Sequence, residues 1–134
     1  QYEAKEKDNM QLFVLTNTTP VLSLFRPAHG AIQLAFSLKE KRYGVLIQTQ
    51  ENENVTAVLA GTVVHVNYEI DNTYTIMVQH ANYLSVYKNM TKTLKAVGDK
   101  VQAGETLAIM GELPLWFELW QDGQPVNPEE VIAF

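Results

Sequence analysis

Most of this chain follows the two-residue period of β-strands. Residues 115–119, Leu-Trp-Phe-Glu-Leu, alternate fully apolar with mixed side chains, and Asp122-Gly123 followed by Pro125 and Pro128 supplies a tight turn and an exit. This pattern predicts a late β-hairpin. Residues 74–80 place Tyr74, Ile76, Val78 and His80 on one face and Thr75, Met77 and Gln79 on the other. A turn at Asp71-Asn72 joins that strand to residues 63–68. Residues 41–49, KRYGVLIQT, read as a strand with Val45 and Ile47 on one face, and Gly61 permits a sharp turn or bulge before the strand that follows it. Nearer the start, residues 12–15 and 21–25 are apolar β segments separated by the turn residues Asn17-Thr18-Thr19-Pro20.

Helical periodicity is short wherever it occurs. Residues 91–96 and 128–132 each predict a single helical turn, the second with Glu129 and Glu130 early in it, where carboxylates favour the amino-terminal end. The expected class is therefore all-β with little helix. The core should centre on Ile32, Leu34, Val45, Ile47, Val63, Ile76, Val78, Val101, Leu107, Ile109 and Phe117, with Val97 as a further anchor. Tight turns are expected at Gly98-Asp99 and Gly104.

Composition narrows the function classes. With 134 residues the chain is long enough to bury a substantial core, roughly two thirds of the unfolded surface for a domain of this size. Residues 1–20 read as an arm or the remnant of a preceding segment, and 21–134 as one domain. Ten basic against fifteen acidic residues give a net charge of -5, with no Lys/Arg cluster dense enough to displace counterions from a phosphate backbone, so nucleic acid is not an expected partner. Cysteine is absent, and no apolar run approaches the ~20 residues of a membrane span. Because the chain begins with Gln1, it reads as a processed or truncated fragment.

The chemistry-bearing residues form no catalytic constellation. A catalytic zinc site takes three protein donors and an open position. His29, His65 and His80 are scattered without metal-ligand spacing and read as surface or structural histidines. No nucleophile elbow or phosphate-binding loop is present, and Glu118 has no obvious carboxylate partner. No catalytic residue, metal or other cofactor is implied.

Against this background several motifs carry a family resemblance. The run Gly123-Gln124-Pro125-Val126-Asn127-Pro128 after Phe117-Glu118-Leu119, the element around Val55, Ala57, Gly61 and Val63, and above all V-G-D-x-V-x-x-G over residues 97–104 resemble the lysostaphin/LytM-type zinc metallopeptidases. The resemblance implies a LytM-like antiparallel β-sandwich or barrel of the duplicated hybrid-motif kind. It also identifies what has been lost. Where that family has its two late histidines this chain has Pro114 and Trp116, where it has the zinc-binding His and Asp of an early strand this chain has Arg42 and Leu46, and its remaining histidine falls on Asn89. Arginine has no lone pair to donate and leucine has no donor atom, so the resemblance implies the fold and the residues withdraw the chemistry.

The pattern is most similar to the degenerate domains of EnvC-type murein hydrolase activators, through Ser85-Val86-Tyr87-Lys88-Asn89, Ala103-Gly104 and Leu115-Trp116-Phe117-Glu118-Leu119. That resemblance implies an extracytoplasmic protein of the periplasm or cell envelope, and a groove that binds and activates a peptidoglycan amidase or otherwise regulates peptidoglycan hydrolysis. The groove is expected to be lined by Arg42, Tyr43, Leu46, Tyr87, Asn89, Trp116, Glu118 and Trp120, a set rich in interface-anchoring residue types. Arg42 and Glu118 would supply charge beside the apolar centre. Trp116 is either such an anchor or packed under a loop that fills the groove. Two other readings of function stay open: a module that binds peptidoglycan itself, and a lipoyl- or biotinyl-type carrier, which would need a modifiable hairpin lysine that this chain lacks.

Overall fold

The computed structural model describes residues 24–134. The expected arm at 1–20, the apolar segment 12–15 and its turn lie outside the described residues. Of the segment 21–25, Leu24 forms an isolated parallel bridge with Ile132, and the Phe25 N–H donates to the Val58 carbonyl at 3.1 Å.

Ten strands make up the fold: β1 (Ala31–Leu34), β2 (Val45–Gln48), β3 (Asn54–Thr56), β4 (Gly61–Tyr68), β5 (Tyr74–His80), β6 (Tyr83–Thr93), β7 (Lys100–Val101), β8 (Thr106–Met110), β9 (Leu115–Gln121) and β10 (Gln124–Val126). They form one sheet in the order β1-β2-β9-β6-β5-β4-β7, with β10 on β9 and the pair β3–β8 attached through β6. Every strand pairing is antiparallel, in keeping with the all-β, LytM-like expectation.

The long strand β6 connects the two parts. Its first half, up to Lys88, lies between β5 and β9, and after a register break its second half pairs with β8. Asn89 sits at that break with φ of 80°. Asparagine is among the few residues other than glycine that tolerate this left-handed region, so the substitution suits the backbone bend.

The core occupies the inner face of the sheet and the space under β3 and β8. Val45 and Ile47 of β2, Ile76 and Val78 of β5, Tyr87 of β6, and Leu115, Phe117 and Leu119 of β9 all have 0% exposure and join Val55, Val58, Leu107 and Met110 in a single cluster. Burying a side chain such as Phe117 contributes about 1.5–3 kcal/mol by transfer from water. The alternation in β9 is complete from Leu115 to Leu119, with buried and half-buried residues taking turns.

Four expectations need correction. Leu34 is 44% exposed because the β1–β2 register shifts between Ile32 and Leu34, which turns the later residue outward. Val97 is 61% exposed, on the turn whose Gly98 N–H bonds back to the Val63 carbonyl. Ile109 is only half-buried. Residues 91–96 do not form a helical turn: β6 runs through Thr93, because pairing with β8 satisfies its backbone. The other predicted helical turn does form, as a 3-10 turn over Pro128–Glu130 capped by the Asn127 side chain.

Turn residues behave as their chemistry demands. At the β4–β5 tip the Asp71 carboxylate accepts from both the backbone N–H and the hydroxyl of Thr73, while Asn72 takes φ of 67°. The β9–β10 turn has Asp122 at 50° and Gly123 at 80°, the two positive φ values of a type I′ hairpin.

Candidate functional site

Parity along the central strands decides which side chains share the outer face of the sheet. In register, Leu46 of β2 lies opposite Trp116 of β9, and β9 in turn faces β6 through the pairs Trp116–Lys88, Glu118–Val86 and Trp120–Leu84. On the far side of β6, Met77 of β5 lies opposite Val86. These residues form one continuous strip, while their immediate neighbours point into the core.

The centre of the strip is a hydrogen-bonded ladder within one strand. The Trp116 indole Nε1–H donates to Glu118 Oε2 at 2.7 Å, and the Trp120 indole Nε1–H donates to Oε1 of the same carboxylate at 2.8 Å. All three residues are half-buried. Each carboxylate oxygen thus holds one indole, and charge-assisted bonds of this kind are stronger than neutral ones. Tyr43 extends the aromatic surface, its ring centroid 6.2 Å from that of Trp120 at an interplanar angle of 56°.

Gly44 makes room for the ladder. A Cβ built there would lie 2.6 Å from the Phe117 carbonyl oxygen, 2.8 Å from the Trp116 ring and 2.8 Å from the Glu118 side chain. The indole therefore lies against bare backbone of β2's approach, which only glycine leaves open.

The remaining expected residues divide. Asn89 donates from Nδ2 to the Pro114 carbonyl at 2.9 Å and so ties the bend of β6 to the loop entering β9. Arg42 donates from Nε to the Ala35 carbonyl at 2.6 Å, and its backbone exchanges two hydrogen bonds with Ser37. It closes the β1–β2 connection. Among the described residues the close contacts between basic and acidic side chains are Lys95–Glu105 and His29–Glu53, the latter charged only with a protonated imidazole, so Arg42 and Glu118 do not pair with each other.

Tyr87 is the residue the expectation misplaced. It is fully buried, packs against Phe117 with centroids 5.3 Å apart, and accepts from the Val58 N–H at 3.2 Å. Its parity matches Ser85 on the core side, and the residues of the opposite parity, Val86, buried beneath the outer strip, and the half-buried Lys88, were not anticipated. The signal was available: Ser85 and Tyr87 flank a position that alternation assigns to the opposite face.

Behind the strip lies a buried polar chain. His80 lies 2.9 Å through Nδ1 from the Ala60 carbonyl and 2.7 Å through Nε2 from the Ser85 hydroxyl. The carbonyl can only accept, so Nδ1 carries the proton and Nε2 accepts from Ser85. Burial pushes the His80 pKa below its ordinary value, against the opposing bonds to the Ala60 and Leu59 backbone. Burial likewise pushes the Tyr87 phenol up to about 12, opposed by hydrogen bonds to Ser85 and Val58. The structural role expected for His80 follows from these bonds. His29 and His65 are exposed, as expected of surface histidines.

Zinc does not fit these residues. The positions that the resemblance assigns to ligands and catalytic histidines hold Arg42, Leu46, Asn89, Pro114 and Trp116. The guanidinium, the Asn89 amide and the Glu118 carboxylate are committed to the partners above. Among the described residues no group of three or more His, Asp or Glu side chains is arranged to hold a metal ion.

Comparison with known proteins gives this geometry a family. Residues 40–128 match Peptidase family M23. The murein hydrolase activator EnvC of Escherichia coli (strain K12) is 29% identical over 93 residues, which is 64% of this chain and 22% of that protein, so the chain spans about a fifth of the relative's length. Among solved structures, Helicobacter pylori Csd3 superimposes with a TM-score of 0.76 at 20% identity, covering 84% of this chain and 34% of Csd3. A chain of the SpoIIQ–SpoIIIAH pore-forming complex gives 0.72 at 19% identity, covering 85% of this chain and 93% of that one. These likenesses establish a shared LytM-type fold, and the family match over residues 40–128 makes this chain a member of peptidase family M23.

Proposed function

We propose that this chain is a non-catalytic LytM-type domain of the cell envelope whose outer sheet face binds a peptidoglycan amidase and relieves its restraint. The observation that carries the reading is the Trp116–Glu118–Trp120 ladder, in which Trp116 stands where the resemblance puts a histidine of active relatives. Hydrogen bonds to one carboxylate hold both indoles in place, so their ordering is already complete before a partner arrives. Rigid, half-exposed Trp and Tyr are the residue types that most often anchor interfaces, and preorganisation lowers the entropic cost of association. The similarity to EnvC supports a regulatory role in peptidoglycan hydrolysis. The same similarity supports an extracytoplasmic location. Among the described residues no helix is long and apolar enough to cross a membrane.

The test uses labelled peptidoglycan with purified amidases, each with and without this chain. Stimulated release by at least one amidase, with no release by the chain alone, is expected. Cleavage by the chain alone, stoichiometric bound zinc, or no stimulation of any amidase would overturn the proposal. Sedimentation of the chain with peptidoglycan in the absence of any amidase would favour a direct wall-binding module instead.

A further inference from the structure

The outer strip ends in a depression that the ladder does not fill. It has a volume of about 380 Å³ and lies between the β5–β6 and β9–β10 turns, lined by Gln79, Asn82, Leu84, Trp120 and Asp122 among others. The two turns are joined: the Asp122 N–H donates to the Asn82 carbonyl at 3.0 Å, and Asn82 Nδ2 donates to Asp122 Oδ2 at 3.4 Å. Ala81 takes φ of 56°, a conformation that costs a residue with a Cβ, whereas Asp122 at 50° is the ordinary first position of the type I′ turn.

The side chains lining the depression offer more acceptors than donors. Both N–H bonds of the Gln79 amide are spent, on the Ala81 carbonyl at 2.6 Å and the Tyr83 carbonyl at 2.9 Å. The Trp120 N–H is spent on Glu118, and one N–H of Asn82 on Asp122. Among the described residues, the side-chain groups of the lining left unengaged are three acceptors, Gln79 Oε1, Asn82 Oδ1 and Asp122 Oδ1, and one donor, the second N–H of Asn82. A ligand that brings several donors suits such a site best.

We propose that this depression receives an arginine side chain of the partner protein. A guanidinium offers five N–H donors, which suit the three free acceptors and the Asp122 charge of this lining. Its plane stacks on an indole face, and Trp120 supplies one held in a fixed orientation. The Asp122 charge sits at the rim, the Glu118 carboxylate lies at the indole edge, no Lys or Arg lines the site, and the chain as a whole carries -5. A saccharide hydroxyl, in contrast, carries no charge to pair with the Asp122 carboxylate. The inference rests on the reading of the outer face as a protein-binding surface and adds the chemistry recognised at its end.

The experiment titrates the intact chain with N-acetyl-arginine amide, following the Trp120 indole and Asn82 side-chain amide signals by ¹H–¹⁵N NMR. Saturable shifts at both are expected. The neutral citrulline counterpart should bind about tenfold more weakly, as should Asp122→Asn with the arginine probe, the loss typical of one hydrogen bond to a charged group. Asn-Gly is itself a favoured type I′ pair, so Asp122→Asn removes the charge and keeps the turn. Absent shifts, or equal binding of arginine and citrulline probes, would overturn the proposal, as would preferential binding of diacetylchitobiose. Because no amidase is present, failure here leaves the amidase-stimulation result to stand or fall separately.

Discussion

The two faces of strands β6 and β9 are built from alternating residues of the same short sequences, yet they obey different physics. On the inner face Tyr87 and Phe117 are fully buried, and the one phenolic oxygen among them is satisfied by the Val58 N–H. On the outer face Trp116, Glu118 and Trp120 are half-buried and satisfy one another. The inner face supplies stability through area removed from water; the outer face holds large aromatic side chains ordered but accessible. Within β2 and β9 the positions that the resemblance gives to a ligand and a late histidine, Leu46 and Trp116, fall on one parity, and the core residues Val45, Ile47, Leu115 and Phe117 fall on the other.

If that division is right, substitutions on the two parities should part company. The largest stability loss is expected from Phe117→Ala, about 3–5 kcal/mol by chemical denaturation, because a fully buried ring leaves a cavity. A loss below about 1 kcal/mol would mean that the inner face is not the stabilising one. Gly44→Ala addresses the seam between the faces. The new methyl would press on the Phe117 carbonyl and the Trp116 ring, so a cost of about 1–3 kcal/mol and a shifted tryptophan emission are expected. An unchanged spectrum would show that the indole does not rest on that backbone.

The pH dependence sharpens the comparison further. The folded pKa of His80 is depressed below the 6.5 of the free side chain, so the unfolded chain binds the proton more readily. The stability that His80 contributes as a neutral donor–acceptor link is therefore fully present above that value and is lost as pH falls below it. Urea midpoints measured from pH 7.5 to 5 should decline, and His80→Gln should flatten that part of the profile. Tyr87 works in the opposite direction: its raised folded pKa means that stability is lost as pH climbs from 10 toward about 12. The smallest effect belongs to Lys92→Ala, an exposed position on the second half of β6, which should change stability by less than about 0.5 kcal/mol.

The parts of the fold that were legible in the sequence were the local ones. Strict alternation revealed the faces of β5 and β9, and Asp71-Asn72 and Asp122-Gly123 marked their turns because few other residues accept positive φ. What alternation could not foresee was where it breaks. The β1 register shift turned Leu34 outward, and the bend at Asn89 carried β6 across to β8, converting a supposed helical turn into strand. Both depend on partners distant in sequence.

The candidate site divides in the same way. Period two placed Trp116, Glu118 and Trp120 together, and the resemblance to LytM-type domains brought Leu46 and Asn89 to the same region. That resemblance also drew Tyr87 into the groove, although its parity with Ser85 assigns it to the core. The convergence of two indoles on one carboxylate depends on rotamers and could not be read from spacing. Arg42, expected as a charge in the groove, instead closes its own connection through the Ala35 carbonyl.

The central claim is that the outer face, in place of a metal centre, is the surface by which this chain engages a protein. Its most direct test is calorimetric titration of the stimulated amidase with the parent chain and with Trp116→Ala, after circular dichroism and thermal melting show that the variant is folded. The account predicts binding weakened by about 2 kcal/mol or more, roughly thirtyfold, as for removal of an interface anchor. A folded Trp116→Ala variant that binds the amidase as tightly as the parent would contradict it.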